Sequence, residues 1–182
     1  MRVNWRMVLL ATAGAGLVGC AVVSINREPV TTAQLKSGSA IVMVSTTNLD
    51  DAGCIASATD LVLQDAYTHK LIKKLSVNYW AFKSDFSDHF GHVYAIALPP
   101  GLYAFRIGAA NPYASYGEGH VGLGFRVKAG ELKYVGDFWL HGCGSVRTGF
   151  RDNWQAVHDA YGKVYPALDL SGVTVDVVKA DP

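Results

Sequence analysis

Charge is scarce in this chain. Asp, Glu, Lys and Arg make up 17% of the 182 residues, 16 basic side chains nearly cancel 15 acidic ones, and no basic cluster occurs, which argues against nucleic acid as a partner. Also missing are a glycine-rich phosphate loop, a paired-cysteine metal site, a serine-centred elbow and a zinc-protease helix, so no familiar catalytic constellation announces an enzyme. No internal repeat or low-complexity block is present. The charge-free stretch at residues 7–26 nominally reaches the ~20 residues a spanning helix needs, so an uncleaved membrane anchor is one reading of it, but Thr12, Ser24, Asn26 and its glycines interrupt it. What is abundant is apolar surface. Hydrophobic residues at 50% against so little charge exclude general disorder and fit a packed globular domain.

The first twenty residues have a pattern of their own. Arg2 and Arg6 give a short basic start, residues 7–19 carry no charge, and Leu17-Val18-Gly19-Cys20 places a small residue immediately before a cysteine. This quartet resembles the lipobox of bacterial lipoprotein precursors. The resemblance implies cleavage between Gly19 and Cys20 and attachment of acyl chains such as palmitate to Cys20, which makes the lipid bilayer the first expected partner. Stable attachment needs more than one chain. Ala21 stands where an Asp would resemble an inner-membrane retention signal, so the expected address is the outer membrane, facing the periplasm. Removing residues 1–19 leaves 163 residues with 14 Lys+Arg against 15 Asp+Glu, a comfortable single-domain length.

With Cys20 lipidated, Cys54 and Cys143 remain, in a compartment where a disulfide is chemically permitted. A bridge between them would stabilise by about 4–5 kcal/mol in the chain-entropy model. Two free, buried thiols are the alternative.

Residues 20–36 are polar and unpatterned and read as a tether, leaving residues 37–182 as one domain. Residues 40–46 and 61–66 are short β-rich runs. From residue 92 onward alternation dominates. Tyr94, Ile96 and Leu98 precede Pro99-Pro100-Gly101, and Tyr103, Phe105 and Ile107 follow it, which predicts an antiparallel hairpin. Val121, Leu123, Phe125 and Val127 share a face, Ala129-Gly130 turns the chain, and Leu132, Tyr134, Phe138 and Leu140 fall at even spacing, predicting a second hairpin. One short C-terminal helix is expected near 153–164, capped by Asp152 with Gln155, lined by Trp154, Val157, Tyr161 and Val164, and ended at Gly162 or Pro166. Residues 173–178 read as a last strand. The fold class is mainly β, an antiparallel β-sandwich of prealbumin or Ig-like type.

The order LPPGLYAFRIG at 98–108, then FRVKAGELKYVGDF at 125–138, resembles small prealbumin-like β-sandwich domains of bacterial envelope lipoproteins. The resemblance implies a fold and an envelope location. It carries over no catalytic residue and implies no cofactor.

Three groups of residues bear chemistry worth testing. Asp85, Asp88, His89 and His92 would share one face of a helical turn and are competent ligands for a divalent metal ion, although Gly91 and the strand after it favour a polar loop. Cys143 lies between glycines close to His141, with His158 as a second imidazole, and a thiol nucleophile would need one of them as base. Tyr79, Trp80, Phe82, Phe86 and Phe90, with Tyr113 and Tyr116, could form an aromatic platform for an envelope glycan or protein, or could simply be packing. The expected role is therefore a non-catalytic envelope structural or binding protein. The alternative is an envelope enzyme or metal-binding protein using Cys143 with His141, or the 85–92 segment.

Overall fold

A computed structural model describes residues 25, 27–49, 59–77, 82–109, 123–141 and 147–179. All three cysteines lie outside these residues, so the lipidation and disulfide readings do too. Nine strands and two helices are described: α1 (Thr32–Lys36), β1 (Ala40–Asn48), β2 (Thr59–Asp65), β3 (Leu71–Ser76), β4 (Phe90–Leu98), β5 (Gly101–Ala109), β6 (Leu123–Val127), β7 (Leu132–His141), β8 (Arg147–Arg151), α2 (Trp154–Val164) and β9 (Thr174–Val175). None of the described helices is long and apolar enough to cross a membrane.

The strands form two sheets, one ordered β4-β1-β7-β8 with β9 also on β7, the other ordered β3-β2-β5-β6. This is the expected β-sandwich. Its central pair, β1 with β7, is parallel. Between the sheets lies a core in which Val42, Val44, Tyr94, Ile96 and Phe138 meet Leu61, Leu63, Leu75, Phe105 and Phe125. Burying each such side chain is worth about 1.5–3 kcal/mol.

A second core covers the other face of the first sheet. Ile41, Met43, Val93, Ala95, Leu132 and Tyr134 pack against Val157, Ala160 and Tyr161 of α2 and against Tyr165 and Leu168. β1 is thus covered on both faces, which explains why it reads as a nearly continuous apolar run instead of an alternating one.

Neither expected hairpin forms. β4 pairs with β1 and β5 pairs with β2 and β6, so Pro99-Pro100-Gly101 carries the chain from one sheet to the other. Likewise β6 stays with β5 while β7 joins β1, and Ala129-Gly130 is a second crossing. Alternation fixes which residues point inward, but two strands facing each other across a sandwich show the same alternation as two strands side by side. Lys133 ties the sheets near this crossing, donating to the Arg126 carbonyl at 2.9 Å and to Asp176 at 3.0 Å. Burial opposes its charge, yet Asp176 and Glu131 hold the ammonium above its ordinary range.

α2 occupies the expected place, with a different start. Asn153 is its N-cap, Asp152 sits one residue earlier and accepts from the Trp154 amide at 3.0 Å, and the helix ends before Pro166 with Gly162 inside it. The packed structure also reaches back into the segment read as tether. Val30 is 4% exposed, and α1 lies within residues 20–36.

Candidate functional site at the edge of the first sheet

β4 is an edge strand, and an edge leaves a row of backbone groups open to a new partner. Here side chains close it. Gly91 donates to Ser84 Oγ at 3.1 Å, Val93 donates to Asp85 Oδ2 at 2.9 Å, and Ala95 donates to Tyr165 Oη at 2.9 Å. Arg27 Nε donates to the Val93 carbonyl at 3.0 Å while its guanidinium forms an ion pair with Asp85 and lies 5.5 Å from the centre of the Tyr94 ring. Asp85 is thereby turned toward the edge, and the chain from 83 to 89 is irregular where a helical turn would be needed to gather the four metal candidates.

Those four residues divide into two pairs. Asp88 is exposed and bonded to half-buried His89 at 2.8 Å, and His89 stacks on Phe86 at 4.3 Å with its Nε2 buried and without a hydrogen-bond partner among the described residues. The hydrogen bond from His89 holds the Asp88 carboxyl below its ordinary range. His92 is fully buried, its Nδ1 3.7 Å from Asp85 Oδ2, and neither ring nitrogen has a hydrogen-bond partner among the described residues. Rings enclose it edge-on: Phe90 at 5.1 Å, Tyr94 at 6.2 Å and Phe82 at 6.5 Å. Among the described residues no three of His, Cys, Asp or Glu converge as a metal site.

The remaining expectations fall unevenly. Gly19, Cys20, Cys54, Tyr79, Trp80, Tyr113, Tyr116 and Cys143 lie outside the described residues. Of the aromatic platform, Phe82 and Phe90 pack around His92 and Phe86 packs against the second core. His141 closes β7, and His158 sits exposed on α2, edge-on to Trp154 at 5.2 Å and 3.3 Å from Asp159. Comparison with protein-family models, curated proteins and solved structures finds no match.

One polar centre escaped the sequence reading. Asp137 is fully buried on β7, with Oδ1 accepting from Ser45 at 2.8 Å and Thr47 at 2.9 Å, and Oδ2 from Arg151 at 2.9 Å and Asn153 at 3.4 Å. Ser45 also meets Tyr134 Oη at 2.9 Å. The signal was Gly136, a glycine inside an apolar strand, which marks a bulge. It adopts φ 117°, and the pairing with β1 slips there, from Met43 opposite Tyr134 to Ser45 opposite Asp137. The extra residue reverses the parity of β7. Leu132 and Tyr134 face the helix layer, Phe138 and Leu140 face the other sheet, and Asp137 comes to lie beside Ser45 and Thr47. The four even-numbered residues therefore do not share one face.

Proposed function

We propose that this chain is an outer-membrane lipoprotein, anchored through acylated Cys20 and facing the periplasm, whose β-sandwich has a non-catalytic structural or binding role in the envelope. The observation that carries the proposal is Leu17-Val18-Gly19-Cys20 after a basic start and a charge-free stretch. The described fold takes in Ile25, which packs against the core between the sheets, and Arg27, bonded at the β4 edge; Ile25 is five residues beyond Cys20. Asp85, Asp88, His89 and Asp137 are engaged in bonds that close an edge, pair side chains or join strands.

Affinity capture from intact envelopes tests the role. The wild-type protein is expected to retain an envelope protein or wall glycan that Cys20→Ser, displaced from its leaflet, recovers poorly; recovery of nothing beyond background would count against a binding role. The competing reading, a metal-dependent or thiol-using envelope protein, draws on His92 beside Asp85 and on Cys143 near His141. Stoichiometric metal in the purified protein, or a thiol probe labelling Cys143 alone, would replace the proposal with that reading.

A further inference from the structure

Ile25 and residues 27–30 are fixed to one side of the sandwich. Arg27 is bonded at the β4 edge, Glu28 accepts from Lys73 of β3 at 2.6 Å, and Val30 behind them is buried. Six residues separate Cys20 from Arg27. An extended chain advances at most about 3.6 Å per residue, so Arg27 stays within about 25 Å of the anchored residue. The side of the domain that carries β3 is held near whatever surface holds Cys20.

The β2–β3 hairpin on that side is built for such a surface. Four large hydrophobic side chains are exposed among the described residues, and two are here: Tyr67 in the turn at 74% and Leu71 at the start of β3 at 50%. The turn is firm. Asp65 Oδ1 accepts from the amides of Tyr67 at 3.0 Å and Thr68 at 2.7 Å and from the Thr68 hydroxyl at 2.9 Å, bonds that hold its carboxyl below the ordinary range and engage its charge within the turn. Glu28 is matched by Lys73, and Asp60, opposite Ser76 and diagonal to Lys74, is held above its ordinary carboxyl range by burial, with the Lys74 charge opposing that rise. Lys70 and Lys74 are exposed beside the two apolar side chains. A tyrosine and a leucine flanked by lysines suit a lipid–water interface, where the ring keeps one end wet and ammonium groups attract anionic headgroups.

We infer that the β2–β3 hairpin is a second membrane contact, seating Tyr67 and Leu71 at the interface with Lys70 and Lys74 over anionic headgroups of the leaflet that holds Cys20. The inference rests on the lipid anchor at Cys20. The test is amide hydrogen exchange of the full lipidated protein in vesicles of phosphatidylethanolamine with phosphatidylglycerol, compared with detergent. Exchange at residues 65–74 should slow by about tenfold in the vesicles. Tyr67→Ser with Leu71→Ser, or Lys70→Glu with Lys74→Glu, should return it to the detergent rate while flotation with the vesicles and protection of β5 stay unchanged. Equal exchange in vesicles and detergent, with flotation intact, overturns the inference alone, and so does protection that survives both double variants. A wild-type chain that neither floats nor carries acyl mass removes the anchor reading and this inference with it.

Discussion

A carboxylate taken fully out of water survives only if its lone pairs are matched, and Asp137 meets that condition with partners from β1, β8 and the start of α2. Asp137→Ala would strand the hydroxyls of Ser45 and Thr47 and should cost about 3 kcal/mol in urea unfolding, with Asp137→Asn costing about half as much. His92 is the opposite case, a buried ring whose nitrogens meet no partner among the described residues. His92→Phe should therefore leave stability unchanged or raise it by about 1 kcal/mol, since an unmatched polar group is replaced by a ring among rings; a marked loss would show that the imidazole is bonded after all. The tyrosines supply a pH dependence. Burial raises the phenols of Tyr94, Tyr134, Tyr161 and Tyr165 above the ordinary value of 10.0. A folded state that keeps these protons while the unfolded chain releases them is fully stabilised below pH 10.0 and loses that stability as pH rises. Each such tyrosine should cost about 1.4 kcal/mol per pH unit above that point, seen as steep alkaline unfolding that coincides with tyrosinate absorbance.

At the scale of elements, two features direct the chain: the crossings between sheets and the bulge at Gly136. A Cβ at Gly136 would come within 3.1 Å of Val177 and 3.2 Å of the Arg151 carbonyl, at a φ that side chains rarely adopt. Gly136→Ala should cost about 1–3 kcal/mol, whereas Gly124→Ala, whose nearest neighbour would be the Tyr103 carbonyl at 3.9 Å, should change stability by about 0.5 kcal/mol or less. Paired thermal melts decide between them. The alternation of Tyr94, Ile96 and Leu98 and of Leu123, Phe125 and Val127 was legible in the sequence because it records burial. Pairing was not legible, since either neighbour satisfies the same pattern. β3 was missed because Leu71-Ile72-Lys73-Lys74-Leu75-Ser76 is an edge strand with lysines on it, lacking the apolar run by which buried strands announce themselves. Asp137 was hidden by the same bulge that positions it, and the metal pattern at 85–92 dissolved because its helical spacing lies on irregular chain.

On the scale of the whole molecule, the fold is a sandwich with a helix layer on one face and an arm strapped across one edge. That arm joins the sandwich to the residue proposed as its anchor. Arg27→Ala should loosen the strap at Val93 and Asp85, exposing the segment before Val30 to limited proteolysis while the strands of the core remain protected. Everything said of location depends on Cys20. Mass analysis of the N-terminal peptide of the protein purified from bacterial envelopes tests this most directly. The account predicts a chain beginning at Cys20 with the mass of two or more acyl chains, abolished by Cys20→Ser. A chain that still begins with residues upstream of Cys20, or one that begins there without lipid, would contradict it.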